Sequence, residues 1–197
     1  MLLALFFIPT DMLELNFHPF PDLETERLLL RKIDEGDIDM LLRLRSDINV
    51  MRYIDRPIAK TREDVLPLYN KMKETAETNT GISWVITLKE TGEMIGQVGF
   101  WRIDQENHRG EIGYMLRPEF FGKGLVSEAI KATLTHAFRE LKFHSVEANV
   151  NTGNLASIKI LEKHGFVKEA HFRENYYFDG KFLDSAIYCI LASDWSY

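Results

Sequence analysis

Two glycines flanking a lysine, Gly122-Lys123-Gly124, stand between a strand that ends at Pro118 and a helix that opens at Leu125. Glycine lets consecutive backbone N–H groups converge with no Cβ between them. A helix start adds unpaired N–H donors and the positive end of the helix dipole. Together they form a cradle for a phosphate or pyrophosphate, and Arg117 and Lys123 add positive charge beside it. On its own the same tripeptide also fits a plain strand-to-helix turn. It is not a P-loop, because the Gly-Lys-Ser/Thr ending is missing. It is not a dinucleotide fingerprint either: the third glycine is absent and the preceding strand belongs to a meander.

A second segment begins Asn154-Leu155-Ala156-Ser157 and closes Leu161-Glu162-Lys163-His164-Gly165-Phe166. Asn154 suits a helix N-cap, Ser157 follows on the same face, and Gly165 suits a helix stop. The one cysteine, Cys189, has no partner for an internal disulfide. It lies in an apolar run, 186–191, and reads as a small buried strand residue rather than a nucleophile. The histidines show no metal-ligand spacing: His136, His144 and His164 fall on different elements, so no metal is expected.

The elements that position these residues alternate between strand and helix. A strand is expected over 28–33, then a helix capped by Asp34 or Asp37 and running to Arg45 with an apolar stripe. Thr61 starts a second helix that runs to about Glu77, with Pro67 compatible only with its first turn. Segments 84–88 and 94–101 flank Glu90-Thr91-Gly92-Glu93 as a hairpin, and 109–116 adds a third strand. A long helix over 125–141 keeps the helical period. A strand over 144–150, a helix over 155–164 and two strands around 167–177 and 182–191 complete the chain. The last two join through Asp179-Gly180, a hairpin turn. The sum is an α+β (mixed α/β) domain around one largely antiparallel sheet.

Composition narrows the partners. The 197 residues carry 24 Lys and Arg against 30 Asp and Glu, a net charge of −6. One domain of this length can bury ~70% of its unfolded surface, so a core forms without staples. The acidic balance argues against direct nucleic-acid binding and is compatible with a cationic substrate. The apolar start, residues 1–8, has no preceding Lys or Arg and stops at Pro9 and Asp11. It is too short for a membrane span and poor as a signal peptide. Met12 offers an alternative start, with 1–11 a start-site artefact, and a packed extension is the other option. No membrane partner and a cytoplasmic location are expected.

Taken together, the Phe121-Gly122-Lys123-Gly124-Leu125-Val126-Ser127-Glu128-Ala129 and Asn154…Phe166 segments resemble the GNAT acetyltransferase superfamily. Leu23-Glu24-Thr25-Glu26-Arg27-Leu28-Leu29-Leu30-Arg31, Val50-Met51-Arg52-Tyr53-Ile54, Glu111-Ile112-Gly113-Tyr114 and the closing Tyr177-Phe178-Asp179-Gly180-Lys181-Phe182 hairpin resemble its ribosomal-protein alanine N-acetyltransferase branch. The similarity runs from about residue 23 to 195. It implies residues 23–197 as a single N-acetyltransferase domain behind an extension, 1–22. It also implies a central sheet of about seven strands, flanked by about four helices and splayed between strands 109–116 and 144–150, with acetyl-CoA as co-substrate.

Carried over residue by residue, the resemblance puts the backbone of Met115 and Leu116 on the pantetheine arm or thioester carbonyl. Gly122, Lys123, Gly124, Leu125 and Val126, with Arg117 adding charge, would hold the pyrophosphate, and Asn154 would contact the pantetheine arm. Glu119 stands where many relatives carry Gln or Arg. Leu161 stands where many carry a tyrosine that protonates the leaving thiolate. Ser157 or a water would then take that role, or the thiolate would leave unassisted. Glu111, on the strand leading to the thioester, is the candidate general base, beside the plain reading of a solvent-facing strand residue. Tyr114 is a second candidate for orientation or acid work. Trp84, Trp101, Tyr176 and Tyr177 would wall an acceptor groove or pack in the core.

The expected activity is direct acetyl transfer to a primary amine, first the N-terminal α-amine of a ribosomal protein, by a monomer or homodimer. A polyamine or aminoglycoside acceptor and a non-catalytic acyl-CoA-binding module are the alternatives. A nucleotide-phosphate-binding protein is disfavoured.

Overall fold

Leu28 and Leu30 alternate with half-buried Leu29 and Arg31 along one short strand, and both leucines are fully buried. That period of two, repeated along the chain, builds a single sheet. The computed structural model describes residues 12–196, so the apolar start over 1–11 lies outside the described residues. The strands are β1 (Leu23–Glu24), β2 (Leu28–Arg31), β3 (Ile82–Leu88), β4 (Met94–Asp104), β5 (Arg109–Leu116), β6 (Ser145–Asn151), β7 (Val167–Phe178) and β8 (Lys181–Leu191). The helices are α1 (Ile38–Ser46), α2 (Ile48–Met51), α3 (Arg62–Glu77), α4 (Leu125–Arg139) and α5 (Leu155–Lys163). The sheet order is β1-β2-β3-β4-β5-β6-β8-β7. Every neighbouring pair is antiparallel except β5 and β6.

Three details depart from the sequence reading. The sheet has eight strands, not seven, because Leu23 and Glu24 pair with Leu30 and Leu29; two residues are too few for a periodic signal. A fifth helix, α2, forms because the Asp47 side chain accepts from the N–H groups of Asn49 and Val50. Pro67 lies inside α3, beyond its first turn. The buried face of Val65, Tyr69, Met72 and Ala76 holds the helix on the sheet although one backbone donor is missing.

Helices cover both faces. Leu125, Ala129, Ile130 and Leu134 of α4 and Leu161 of α5 pack on Ile112, Leu116, Val146 and Tyr188. On the opposite face, Leu41 and Leu44 of α1 and Val65, Tyr69 and Met72 of α3 pack on Val85, Met94 and Met115. Each leucine, isoleucine, valine or methionine among them contributes about 1.5–3 kcal/mol on full burial. The segment before β1 joins the first core through Leu13, Leu15 and Phe17. The Trp84 indole N–H donates to the Pro21 carbonyl at 2.6 Å.

β5 and β6 pair over three rungs only: Arg109 with Ser145, Gly110 with Val146, Glu111 with Glu147. β5 continues over 112–116 and β6 over 148–151 with no rung between them. The sheet is therefore splayed in its middle, between the two strands named from the sequence.

Candidate active site

The Arg117 N–H donates to the Ile95 carbonyl at 2.8 Å, which sets the phase of the β4–β5 ladder. Alternation along an antiparallel strand then turns the backbone of Met115 and Gly113 toward β4 and that of Tyr114 and Leu116 away from it. Tyr114 and Leu116 thus aim N–H and C=O groups into the opening that β6 has left. Met115 does not: its backbone faces Gln97 and its side chain is buried under α1 and α3. Residue types do not reveal ladder phase, so Tyr114 replaces Met115 in the expected pair.

Beyond Leu116, a short 3₁₀ turn over Pro118–Phe120 delivers the chain to the glycine loop. Gly122 and Gly124 take φ of +72° and +76°, left-handed values that favour glycine. Gly124 is the N-cap of α4 and offers no side-chain cap. The side chains of Leu125 and Val126 are buried, and the first-turn N–H groups are left for an anion. A Cβ at Gly122 would meet nothing within 4 Å. This open, uncapped cradle fits the pyrophosphate of a bound acetyl-CoA.

Arg117 departs from its expected role. Its guanidinium is buried, ion-pairs with Glu93 and Glu119, and stacks over the Phe120 ring. Its charge braces the loop from beneath. A residue pair the sequence reading missed braces it from the side. Arg27 donates to the Lys123 carbonyl at 3.0 Å and is held by Glu128, which also accepts from Thr25 at 2.5 Å. The signal was present as an acid in the first turn of α4, where the helix dipole favours one.

Across the opening, Asn154 Oδ1 accepts from the Ser157 N–H at 3.2 Å and caps α5. The Tyr114 hydroxyl lies 2.7 Å from Ser157 Oγ. Burial pushes the Tyr114 phenol up to about 12, against a smaller opposing effect of the Ser157 hydrogen bond. Leu161 is fully buried in the core.

Glu111 lies on the opposite face of β5, on the last rung before the strands part. It is buried, not solvent-facing, and accepts from Arg102 at 3.0 Å. Its neighbour across the rung, Glu147, pairs with Arg109. On this same face Trp101 is half-exposed and lies across Gly113. Trp84 is fully buried instead, and Tyr177 packs at the surface on Phe182. Tyr176 accepts from Asn151 Nδ2 at 2.8 Å. A carboxylate, Glu111, on one sheet face and the Tyr114–Ser157 hydroxyl pair on the other thus flank one opening.

Cys189 is buried, and burial pushes its thiol up. His164 bonds Ser127 at 2.8 Å, and His136 packs edge-on against Trp84. Among the described residues no three His, Cys, Asp or Glu side chains converge on a metal position, and no helix is long and apolar enough to cross a membrane.

Residues 27–167 match the family model of the acetyltransferase (GNAT) domain. The chain belongs to the GNAT acetyltransferases. It is 34% identical over 172 residues to the uncharacterized N-acetyltransferase YoaA of Bacillus subtilis, across 87% of this chain and 97% of that protein. A GNAT-family acetyltransferase from Bacillus anthracis superposes with a TM-score of 0.79 at 30% identity, over 88% of this chain and 99% of that one. The spermidine N-acetyltransferase of Vibrio cholerae, solved with CoA and spermine, gives 0.77 at 25%, over 86% and 98%. RimL, a ribosomal L7/L12 alpha-N-protein acetyltransferase solved with CoA, gives 0.80 at 22%, over 87% and 98%, a likeness of fold. As a GNAT-type N-acetyltransferase, the chain places its splayed strands, glycine loop and capped α5 around one cleft.

Proposed function

We propose that the protein transfers an acetyl group from acetyl-CoA directly to the N-terminal α-amine of a protein, of the ribosomal type. Acetyl-CoA supplies an activated thioester when bound. The loop from Gly122 to Val126 holds its pyrophosphate, and Leu116 and Tyr114 direct backbone N–H groups at the carbonyl oxygen, where negative charge develops. Glu111 accepts, directly or through water, the proton shed by the amine as the C–N bond forms and the C–S bond breaks. Ser157 donates a hydrogen bond to the departing sulfur, which then takes its proton from solvent. An α-amine, with a pKa of ~7.7–8.0 against ~10.4 for lysine, asks least of the base.

The observation that carries the acceptor reading is the charge state of the Glu111 face. Both carboxylates there already hold arginines, Arg102 with Glu111 and Arg109 with Glu147. A single amine on an extended peptide fits such a face better than a polycation, which would meet those two guanidinium groups. The likeness to the spermidine enzyme supports the second reading, a polyamine acceptor.

The test is incubation with acetyl-CoA and a panel of N-terminal peptides, polyamines and aminoglycosides, following released thiol. Peptides acetylated at the α-amine and faster than any polyamine are expected. A faster polyamine would select the second reading. Acetyl-CoA binding without turnover of any amine would leave an acyl-CoA-binding module.

A further inference from the structure

We propose that Tyr114 is a positioning residue: its phenol O–H donates to Ser157 Oγ and so turns the Ser157 hydrogen into the opening between β5 and β6. This inference rests on the reading above that Ser157 serves the departing sulfur.

The two oxygens, 2.7 Å apart, share one hydrogen, so only two arrangements exist. If Ser157 were the donor, the Tyr114 hydrogen, on a phenol packed against the core and only partly exposed, would have no other acceptor among the described residues, and an unmet donor there is penalised. If Tyr114 is the donor, its hydrogen is satisfied and the Ser157 hydrogen is free. Ser157, half-buried like Tyr114, stands on the first turn of α5 beside the cleft, where water or the departing sulfur can meet its hydrogen. The second arrangement leaves no group unmet. Burial keeps the phenol protonated well above neutral pH, so it remains a donor.

The need for such a partner follows from Leu161. One turn beyond Ser157, it is sealed in the core and has no hydrogen to give. A serine hydroxyl spins freely about its C–O bond, and in a helix it readily turns back onto a carbonyl of the preceding turn. Asn154 fixes the Ser157 backbone N–H. Tyr114 fixes the hydroxyl.

The thiol of bound CoA reports this directly, without an acceptor. A hydrogen bond from Ser157 favours the thiolate, so CoA bound to the full-length protein should titrate at lower pH than free CoA, read by thiolate absorbance. Tyr114→Phe keeps the ring and its packing. It and Ser157→Ala should each raise that titration by a similar amount, and the double variant should raise it no further. With the best amine, Tyr114→Phe should lower kcat about tenfold, the effect of losing one directed hydrogen bond to the departing sulfur, and leave KM for acetyl-CoA unchanged. An aryl thioester donor, whose leaving group needs no assistance, should lose less than twofold.

A Tyr114→Phe protein that titrates like wild type while Ser157→Ala shifts overturns the role of Tyr114 alone. A Ser157→Ala protein indistinguishable from wild type overturns the Ser157 reading and this inference with it. Failure of CoA to bind wild type overturns the donor site. Should Tyr114→Phe not fold, Ser157→Ala and Ser157→Cys in the same titration decide. Equal values for those two and wild type refute a directed hydroxyl, and a shift confined to the variants supports one.

Discussion

The Trp101 indole crosses Gly113 so closely that a Cβ on that glycine would stand 1.8 Å from the ring. Strand and ring meet on the face that carries Glu111, beside the parting of β5 and β6. A methyl group at residue 113 must expel the indole. Gly113→Ala should therefore raise KM for the amine at least fivefold while acetyl-CoA affinity, set on the other face, stays within twofold. Steady-state kinetics beside calorimetry would show it, and equal changes in both affinities would argue against two-sided access.

Gly124 combines a left-handed backbone with a place at the head of α4. A β-branched residue there is strained by about 1–2 kcal/mol, and its Cβ would stand in ordinary contact with the Arg27 guanidinium, at 3.6 Å. Gly124→Val should weaken acetyl-CoA binding at least tenfold by calorimetry. Unchanged binding would move the pyrophosphate elsewhere.

Glu111 is the only carboxylate that the last β5–β6 rung contributes from β5. Glu111→Gln keeps the shape and removes the proton acceptor. Turnover should fall about 100-fold, the low end for loss of a general base, and most at low pH, where hydroxide is scarce. Acetyl-CoA affinity should hold. A superimposable pH–rate profile would remove Glu111 as base.

Burial pushes the His164 imidazole below its ordinary value, and Lys163 and Lys131 push in the same direction. The folded protein thus binds a proton at His164 less readily than the unfolded chain does. The stability from the neutral form is whole above pH ~6.5 and is lost as pH falls through the lowered folded value. His136, half-buried against Trp84, follows the same sign. Thermal melts should be flat above neutrality and drop below it, and His164→Gln should shallow that drop. An unaltered slope would place the acid sensitivity elsewhere.

Much of this architecture is legible from local pattern. The 3.6-residue stripe of α4, the Asp179-Gly180 turn and the glycine loop appear in the structure where their residue types put them. What escaped is set by partners distant in sequence. The backbone of Met115 faces β4 because Arg117 bonds Ile95, a relation no single strand declares. Arg117 looks like an anion ligand until Glu93 arrives from the neighbouring hairpin. Arg27 reaches the loop from the turn between β1 and β2, nearly a hundred residues earlier. The Tyr114–Ser157 contact joins two segments whose spacing carries no signal.

Three parallel rungs are all that join one half of the sheet to the other through β5 and β6. That seam divides the backbone amides into two exchange classes. Gly110, behind the fork, is locked by its strand neighbours. Tyr114 and Leu116, ahead of it, have no β6 partner. Deuterium should enter the second pair first, and a seated donor should close that route, so the two amides proposed to face the thioester would time the residence of acetyl-CoA.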